Sequence, residues 1–198
     1  GTLLFLPNFI PLLFSLPVLG FLFGYSYAKR FTSLAHFWLG AALMLAPVAA
    51  WMAIRGEVVW DAWLDILPAL LLGVAVLLWV AGFDMIYACM DAEFDVSARL
   101  HSVPVRWGVW GALRLAAVCH VAMICVLLAL PWSHWLGGPE LPLGWLYSVG
   151  IGLAALLLVY EHLLVRPDDL SRVNRAFFNV NAVISFGLFI VIAIDSCL

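Results

Sequence analysis

Six apolar runs, roughly 2–24, 34–54, 64–83, 107–130, 143–162 and 174–195, alternate along the chain with short stretches that carry nearly all of its charge. Each approaches the ~20 residues that a helix needs to cross a bilayer, and each is bounded by turn or charge signals. The pattern predicts an all-α polytopic transmembrane bundle. Its connections are Tyr25 to Ser33, Arg55 to Trp63, Asp84 to Arg106, Pro131 to Pro142 and Leu163 to Val173. No repeat, low-complexity tract or long linker divides the chain, so residues 1–198 read as one membrane domain. Pro7, Pro11, Pro17, Pro47 and Pro68 fall within the apolar runs, where proline can kink a helix; Pro47 and Pro68 could also open space inside the bundle.

Composition narrows the class. With 66% hydrophobic and 11% charged residues, a soluble domain of this size could not hide its apolar surface. No basic patch with interleaved aromatics is present, which argues against a nucleic-acid partner. Cys89, Cys119, Cys125 and Cys197 lack CxxC spacing and read as small buried apolar residues rather than a disulfide framework or zinc site. Lys29, Arg30, Arg99, Arg106, Arg166, Arg172 and Arg175 fall in alternate connections on one side, Arg114 lies near that end of its helix, and only Arg55 falls on the other. The excess of cations marks the cytoplasmic side. Trp60, Trp63, Trp132, Trp135 and Trp145 form an interfacial belt on the opposite side, where both termini also fall. An outward N-terminus without a leader, in a chain that begins Gly-Thr-Leu-Leu, suggests spans upstream.

Asp84, Tyr87, Asp91 and Asp95 give the clearest chemical signal. At about 100° per residue they fall within roughly an 80° arc of a helix, which aligns three carboxylates at the membrane edge. Mg²⁺ suits such a face, because it accepts a few carboxylate oxygens and completes its octahedron with water and substrate phosphate. A solvated acidic face is the plainer alternative. Tyr25 and Lys29, four residues apart beside Arg30, place a phenol and an ammonium on one face, for an anion or for membrane anchoring. Arg99 and Arg106 follow the acidic stretch and could close over a diphosphate through guanidinium–phosphate bonds, or simply anchor the loop. His36, His120, His134 and His162 are scattered, and none reads as a metal ligand.

These residues together resemble a known family. Asp84-x-x-Tyr87-x-x-x-Asp91-x-x-x-Asp95 is similar to the second aspartate-rich motif of the UbiA superfamily of intramembrane prenyltransferases, and Tyr25-x-x-x-Lys29-Arg30 resembles its YxxxK element. Tyr27-Ala-Lys-Arg-Phe-Thr-Ser-Leu-Ala-His36, Leu39-Gly-Ala-Ala-Leu-Met-Leu-Ala-Pro47, His101-Ser-Val-Pro-Val-Arg-Trp-Gly108 and Ala176-Phe-Phe-Asn179 look like the 4-hydroxybenzoate polyprenyltransferase branch and its menaquinone-pathway relatives. The resemblance covers essentially the whole chain and implies spans four to nine of a nine-span bundle. The family's first motif, NxxxDxxxD, does not occur here, which implies an N-terminally truncated chain. His101 stands where the family commonly has Lys or Arg before Ser-x-Pro, so a cation there would depend on pH.

The resemblance implies Mg²⁺-dependent transfer of a polyprenyl group from its diphosphate to an aromatic acceptor in ubiquinone or menaquinone biosynthesis, at the cytoplasmic side of a bacterial inner membrane. Asp84, Asp91 and Asp95 would be the metal ligands, and Lys29, Arg30, Arg99 and Arg106 would neutralise diphosphate. Tyr25, Lys29 and Tyr87 would be the catalytic residues, a tyrosine steadying the allylic cation. A cation- or proton-coupled transporter would also place carboxylates in a bundle, though more often at the midplane and with repeat symmetry. A non-catalytic fragment is the remaining alternative.

Overall fold

The computed structural model describes residues 2–197, and within them the side chains of all but Arg175 and Ala176. Its helices are α1 (Ile10–Ala28), α2 (Ala35–Asp61), α3 (Leu67–Ala88), α4 (Ala92–Ser97), α5 (Val103–Ala129), α6 (Trp145–Leu164), α7 (Val173–Arg175) and α8 (Asn181–Asp195). Six segments are long and apolar enough to cross a membrane: Ile10–Ala28, Ala35–Asp61, Trp63–Ala88, Val103–Leu136, Trp145–Leu164 and Phe177–Asp195. The expected all-α polytopic bundle is therefore present.

Its boundaries differ from the sequence expectation in a consistent way. The first span begins at Ile10 rather than residue 2, because Thr2–Phe5 form a separate 3-10 turn. Pro11 sits in the first turn of α1 and Pro68 in that of α3, where a missing backbone N–H costs nothing. Helices also run past the first polar or charged residue at the charged end. Tyr25 lies inside α1 and Asp84 inside α3 instead of in connections, since a terminal turn at the interface tolerates charge. The apparent start of α5 is displaced by a kink at Gly108, whose φ of 71° and ψ of 170° interrupt Val103–Ala129. That left-handed backbone suits glycine.

The centre of the bundle is α3, packed between α2 and α5. A Cβ at Gly40 of α2 would collide with the backbone carbonyl of Leu77 on α3, and one at Gly73 of α3 would press on the Met44 side chain. Small residues at these crossings let two membrane helices approach closely, which is the main source of packing energy where lipid removes the hydrophobic drive. Toward the charged end, Ala81, Met85, Ile86 and Cys89 pack on Val103, Ala112, Ala116 and Cys119. Toward the other end, Ala75 joins Met123, Leu127, Tyr147, Ile151 and Ile184.

Opposite the charged end, Arg55 embraces Asp65 through Nε to Oδ2 at 2.9 Å and an Nη to Oδ1 at 2.6 Å, while Trp51 Nε1 donates to the same Oδ2 at 2.9 Å. The single cation on that side is thus committed to a buried carboxylate. Trp60, Trp63, Trp132, Trp135 and Trp145 are all exposed there, as an interfacial belt requires. Between α1 and α2 an apolar groove of about 600 Å³ is lined by Phe14, Val18, Leu45, Val48 and Ala49 among others. Pro47 lies within α2 beside this groove.

Candidate active site

At the C-terminal end of α1, Lys29 Nζ reaches Asp95 on α4, 3.2 Å from Oδ2 and 3.5 Å from Oδ1. The Lys29 carbonyl accepts the His101 N–H at 2.7 Å, and the Asp95 carbonyl accepts the Leu100 N–H at 2.8 Å, so one loop is tied to both partners. Asp95 is 1% exposed. An ionised carboxylate so covered needs the ammonium beside it. The Lys29 side chain keeps 32% of its surface, and its remaining donors can meet an anion.

A second pair lies one helix away. His36, fully buried in the first turn of α2, is 2.6 Å from Asp84 Oδ2 through Nδ1. Its Nε2 accepts the backbone N–H of Val103 at 3.3 Å. An acceptor at Nε2 leaves the proton on Nδ1, so the imidazole donates to the carboxylate and fixes its orientation. Asp84 keeps 18% side-chain exposure, and its Oδ1 has no hydrogen bond among the described residues. Nearby, the Oγ of fully buried Ser102 also has no partner.

The chain breaks the expected acidic stripe. α3 ends at Ala88 and α4 begins at Ala92, so Asp84, Asp91 and Asp95 do not share one continuous helix. Among the described residues no group of three His, Cys, Asp or Glu side chains converges as a metal site. Asp91 is exposed at the N-cap of α4, and its side chain makes no capping bond there.

The remaining candidates divide. Tyr25 is half-buried on α1. Tyr87 is half-buried on α3 and packs on Phe177 with ring centroids 4.6 Å apart, continuing an aromatic row through Phe83 and Trp79. Arg30 turns to the ring of Tyr27, 5.3 Å from its centroid. Arg106 donates to Ser33 Oγ at 3.4 Å, linking the start of α5 to the connection between α1 and α2. Arg99 is exposed with φ at 54°, a left-handed conformation uncommon outside glycine.

Sequence reasoning missed two features. One is the His36 bond to Asp84, which no local spacing signals. The other is a buried cluster in which His120 Nδ1 lies 3.0 Å from His162 Nε2 and 3.9 Å from Glu161 Oε2, with His120 Nε2 3.3 Å from the Trp79 carbonyl. Neither carboxylate oxygen of Glu161 has a hydrogen-bond partner among the described residues. The adjacent His162 and Glu161 were visible as polar residues in an apolar run, but their partner on α5 was not. Of the four cysteines, Cys89 and Cys119 are buried as expected, whereas Cys125 and Cys197 are exposed.

A bundle of apolar helices with two carboxylate pairs at one end defines an integral membrane protein with a polar site on one side of the bilayer. The sequence pattern described as the UbiA prenyltransferase family matches residues 1–183, and the chain belongs to that family. It is 33% identical over 194 residues to the 4-hydroxybenzoate octaprenyltransferase of Hydrogenovibrio crunogenus, covering 98% of this chain and 61% of that protein. It is 29% identical over 185 residues to the enzyme of the same name from Methylococcus capsulatus, covering 92% and 58%. A solved UbiA homolog from Aeropyrum pernix K1, in its apo state, superposes with a TM-score of 0.73 at 30% identity, covering 93% of this chain and 63% of that one. The chain spans less than two thirds of each of these proteins.

Proposed function

We propose that this chain carries the charged half of a catalytic site that transfers a polyprenyl group from its diphosphate to an aromatic acceptor of the 4-hydroxybenzoate kind. The observation that carries the reading is the placement of two polar pairs, Lys29 with Asp95 and His36 with Asp84, at the same end of an apolar bundle. Diphosphate needs fixed cations and hard-ion ligands, while its tail needs an apolar path. The groove between α1 and α2 lies toward the opposite end and suits such a tail.

Lys29 binds the leaving diphosphate, held in place from behind by Asp95. Arg99 and Arg106 stand at the rim and close over the outer phosphate through bidentate bonds. Mg²⁺ fits this donor set in a restricted way, since it needs only one or two carboxylates beside substrate phosphates. Asp84, with Oδ1 free, and the exposed Asp91 would hold it; Asp95, covered and bound to Lys29, fits better as a positioning residue. When bound, the ion would neutralise charge developing on the leaving group. Tyr25 and Tyr87 line the approach, where a ring face stabilises positive charge on the allylic carbon. The surrounding helices exclude water from that carbon. The concentration of Lys and Arg at this end supports a cytoplasmic orientation in a bacterial inner membrane. The prenylated acceptor belongs to quinone biosynthesis.

The test is an assay of the protein from its complete reading frame, in detergent or proteoliposomes, with 4-hydroxybenzoate, a polyprenyl diphosphate and Mg²⁺. Prenylated product and released diphosphate in equal amounts, both abolished by chelation, are expected. Cation flux into proteoliposomes with no prenylated product would replace this reading with transport.

A further inference from the structure

At the charged end, between α5 and α6, an open groove of about 340 Å³ is lined by Trp110, Leu113, Arg114, His162, Leu163 and Arg166 among others, and by no acidic residue. Arg114 follows the Gly108 kink by about 9 Å of helix at ~1.5 Å per residue, so its guanidinium stands inside a membrane-crossing segment. Its side chain is exposed. A cation there is costly unless it meets an anion. Its contact is the Trp110 ring, 5.5 Å from the centroid, and neither Arg114 nor Arg166 forms an ion pair among the described residues.

Arg166 is fixed at the exit of α6 by a tight backbone pairing with Asp169, N to O at 3.4 Å and 3.1 Å in the two directions. The Asp169 carboxylate accepts through Oδ1 from Ser171, from Oγ at 2.6 Å and from N at 3.1 Å. It stays within the Coulombic field of Arg166 but forms no ion pair with it among the described residues. Two guanidinium groups and the half-buried imidazole of His162 line a gap whose lining includes no carboxylate among the described residues.

We propose that this groove binds the headgroup phosphate of an anionic phospholipid. Guanidinium groups take phosphate oxygens bidentately, and basic pockets between membrane helices are the usual form of such sites. The occupant is a lipid rather than a soluble phosphate because the surface below the cations is apolar and open. Val118 and Val121, about one and two turns deeper than Arg114 on the same face of α5, are 63% and 64% exposed, and Leu163 on α6 is 71% exposed. Acyl chains cover that surface while the phosphate sits between the arginines. The site is independent of prenyl transfer, and its test does not read turnover.

The test is native mass spectrometry of the intact protein released from detergent micelles holding phosphatidylglycerol or phosphatidylethanolamine of matched chains. Selective retention of phosphatidylglycerol is expected, falling roughly tenfold or more in Arg114→Gln/Arg166→Gln. Ala117→Trp, which fills the groove without changing charge, should lower retention as well, whereas Arg172→Gln, outside the groove, should not. Millimolar inorganic phosphate should leave retention unchanged. Equal retention by the double variant or by Ala117→Trp would overturn the proposal. So would displacement by inorganic phosphate, or a loss in Arg172→Gln as large as in the double variant.

Discussion

His36 and Asp84, 48 residues apart, are joined by a 2.6 Å contact between Nδ1 and Oδ2, while the Val103 N–H occupies the other ring nitrogen at 3.3 Å. One buried side chain thereby aligns the start of α2, the last turns of α3 and the start of α5. The imidazole sets which oxygen of Asp84 remains free, much as outer partners orient metal-binding carboxylates.

His36→Ala should therefore lower turnover by roughly ten- to hundredfold and raise the Mg²⁺ concentration needed for half activity. His36→Asn should retain more activity, because its amide nitrogen stands close to the place of Nδ1 and can still donate to Asp84. Steady-state kinetics against Mg²⁺ at fixed prenyl donor would check both. Equal loss in the two variants would show that the imidazole acts by another route.

Lys29 and Asp95 make a different kind of pair, with the acid covered and the base partly open. Lys29→Met should destabilise the protein by about 1–3 kcal/mol. That is below the range for a fully buried pair, because the Lys29 side chain is 32% exposed and solvent screens it. Adding Asp95→Leu should restore part of the loss, since no charge is then stranded. Activity should stay low in both. Thermal unfolding of the single and double variants gives the coupling, and strictly additive losses would show that the ion pair contributes nothing.

The sequence made the six spans and the charged end legible because membrane crossing leaves long apolar runs, and the retained cations mark one side. It also brought Lys29 and the aspartates into one functional group before their contacts were visible. What stayed hidden was the turn between Ala88 and Ala92. Helical periodicity extrapolates straight through it, so Asp91 and Asp95 were aligned with Asp84 on a face that does not exist. The His36 and His120 partnerships were hidden for a related reason. In a nearly uniform apolar helix, sequence gives little indication of which side faces a neighbour, so an isolated polar residue cannot be assigned its partner.

Cys89 gives a chemical check on burial at the end of α3. Its thiol donates to the Met85 carbonyl at 3.3 Å, and burial pushes its pKa up to about 12. A raised thiol pKa means that the reactive thiolate is scarce below that value. A membrane-permeant maleimide should therefore leave Cys89 unmodified between about pH 6 and 9, with labelling appearing only after unfolding. Peptide mapping by mass spectrometry would decide it, and rapid labelling of folded protein at neutral pH would place Cys89 in an accessible crevice.

Gly40 tests the packing that holds the site together. Alanine favours a helix interior over glycine by up to ~1 kcal/mol, so propensity alone predicts that Gly40→Ala stabilises α2. The new Cβ would, however, meet the backbone carbonyl of Leu77, which cannot rotate away as a side-chain tip can. Relief would require α2 and α3 to separate, at a cost of about 1–3 kcal/mol or more for an overpacked contact. The net effect should be a lower melting temperature and lost activity, since His36 on α2 and Asp84 on α3 sit across that crossing. Gly20 of α1, with nothing within 4 Å of its added Cβ, provides the comparison. Gly20→Ala should leave stability unchanged or slightly raised. Paired melts in one detergent would separate the effects, and a Gly40→Ala protein as stable as Gly20→Ala would mean that the close approach of α2 and α3 is not what orders the site.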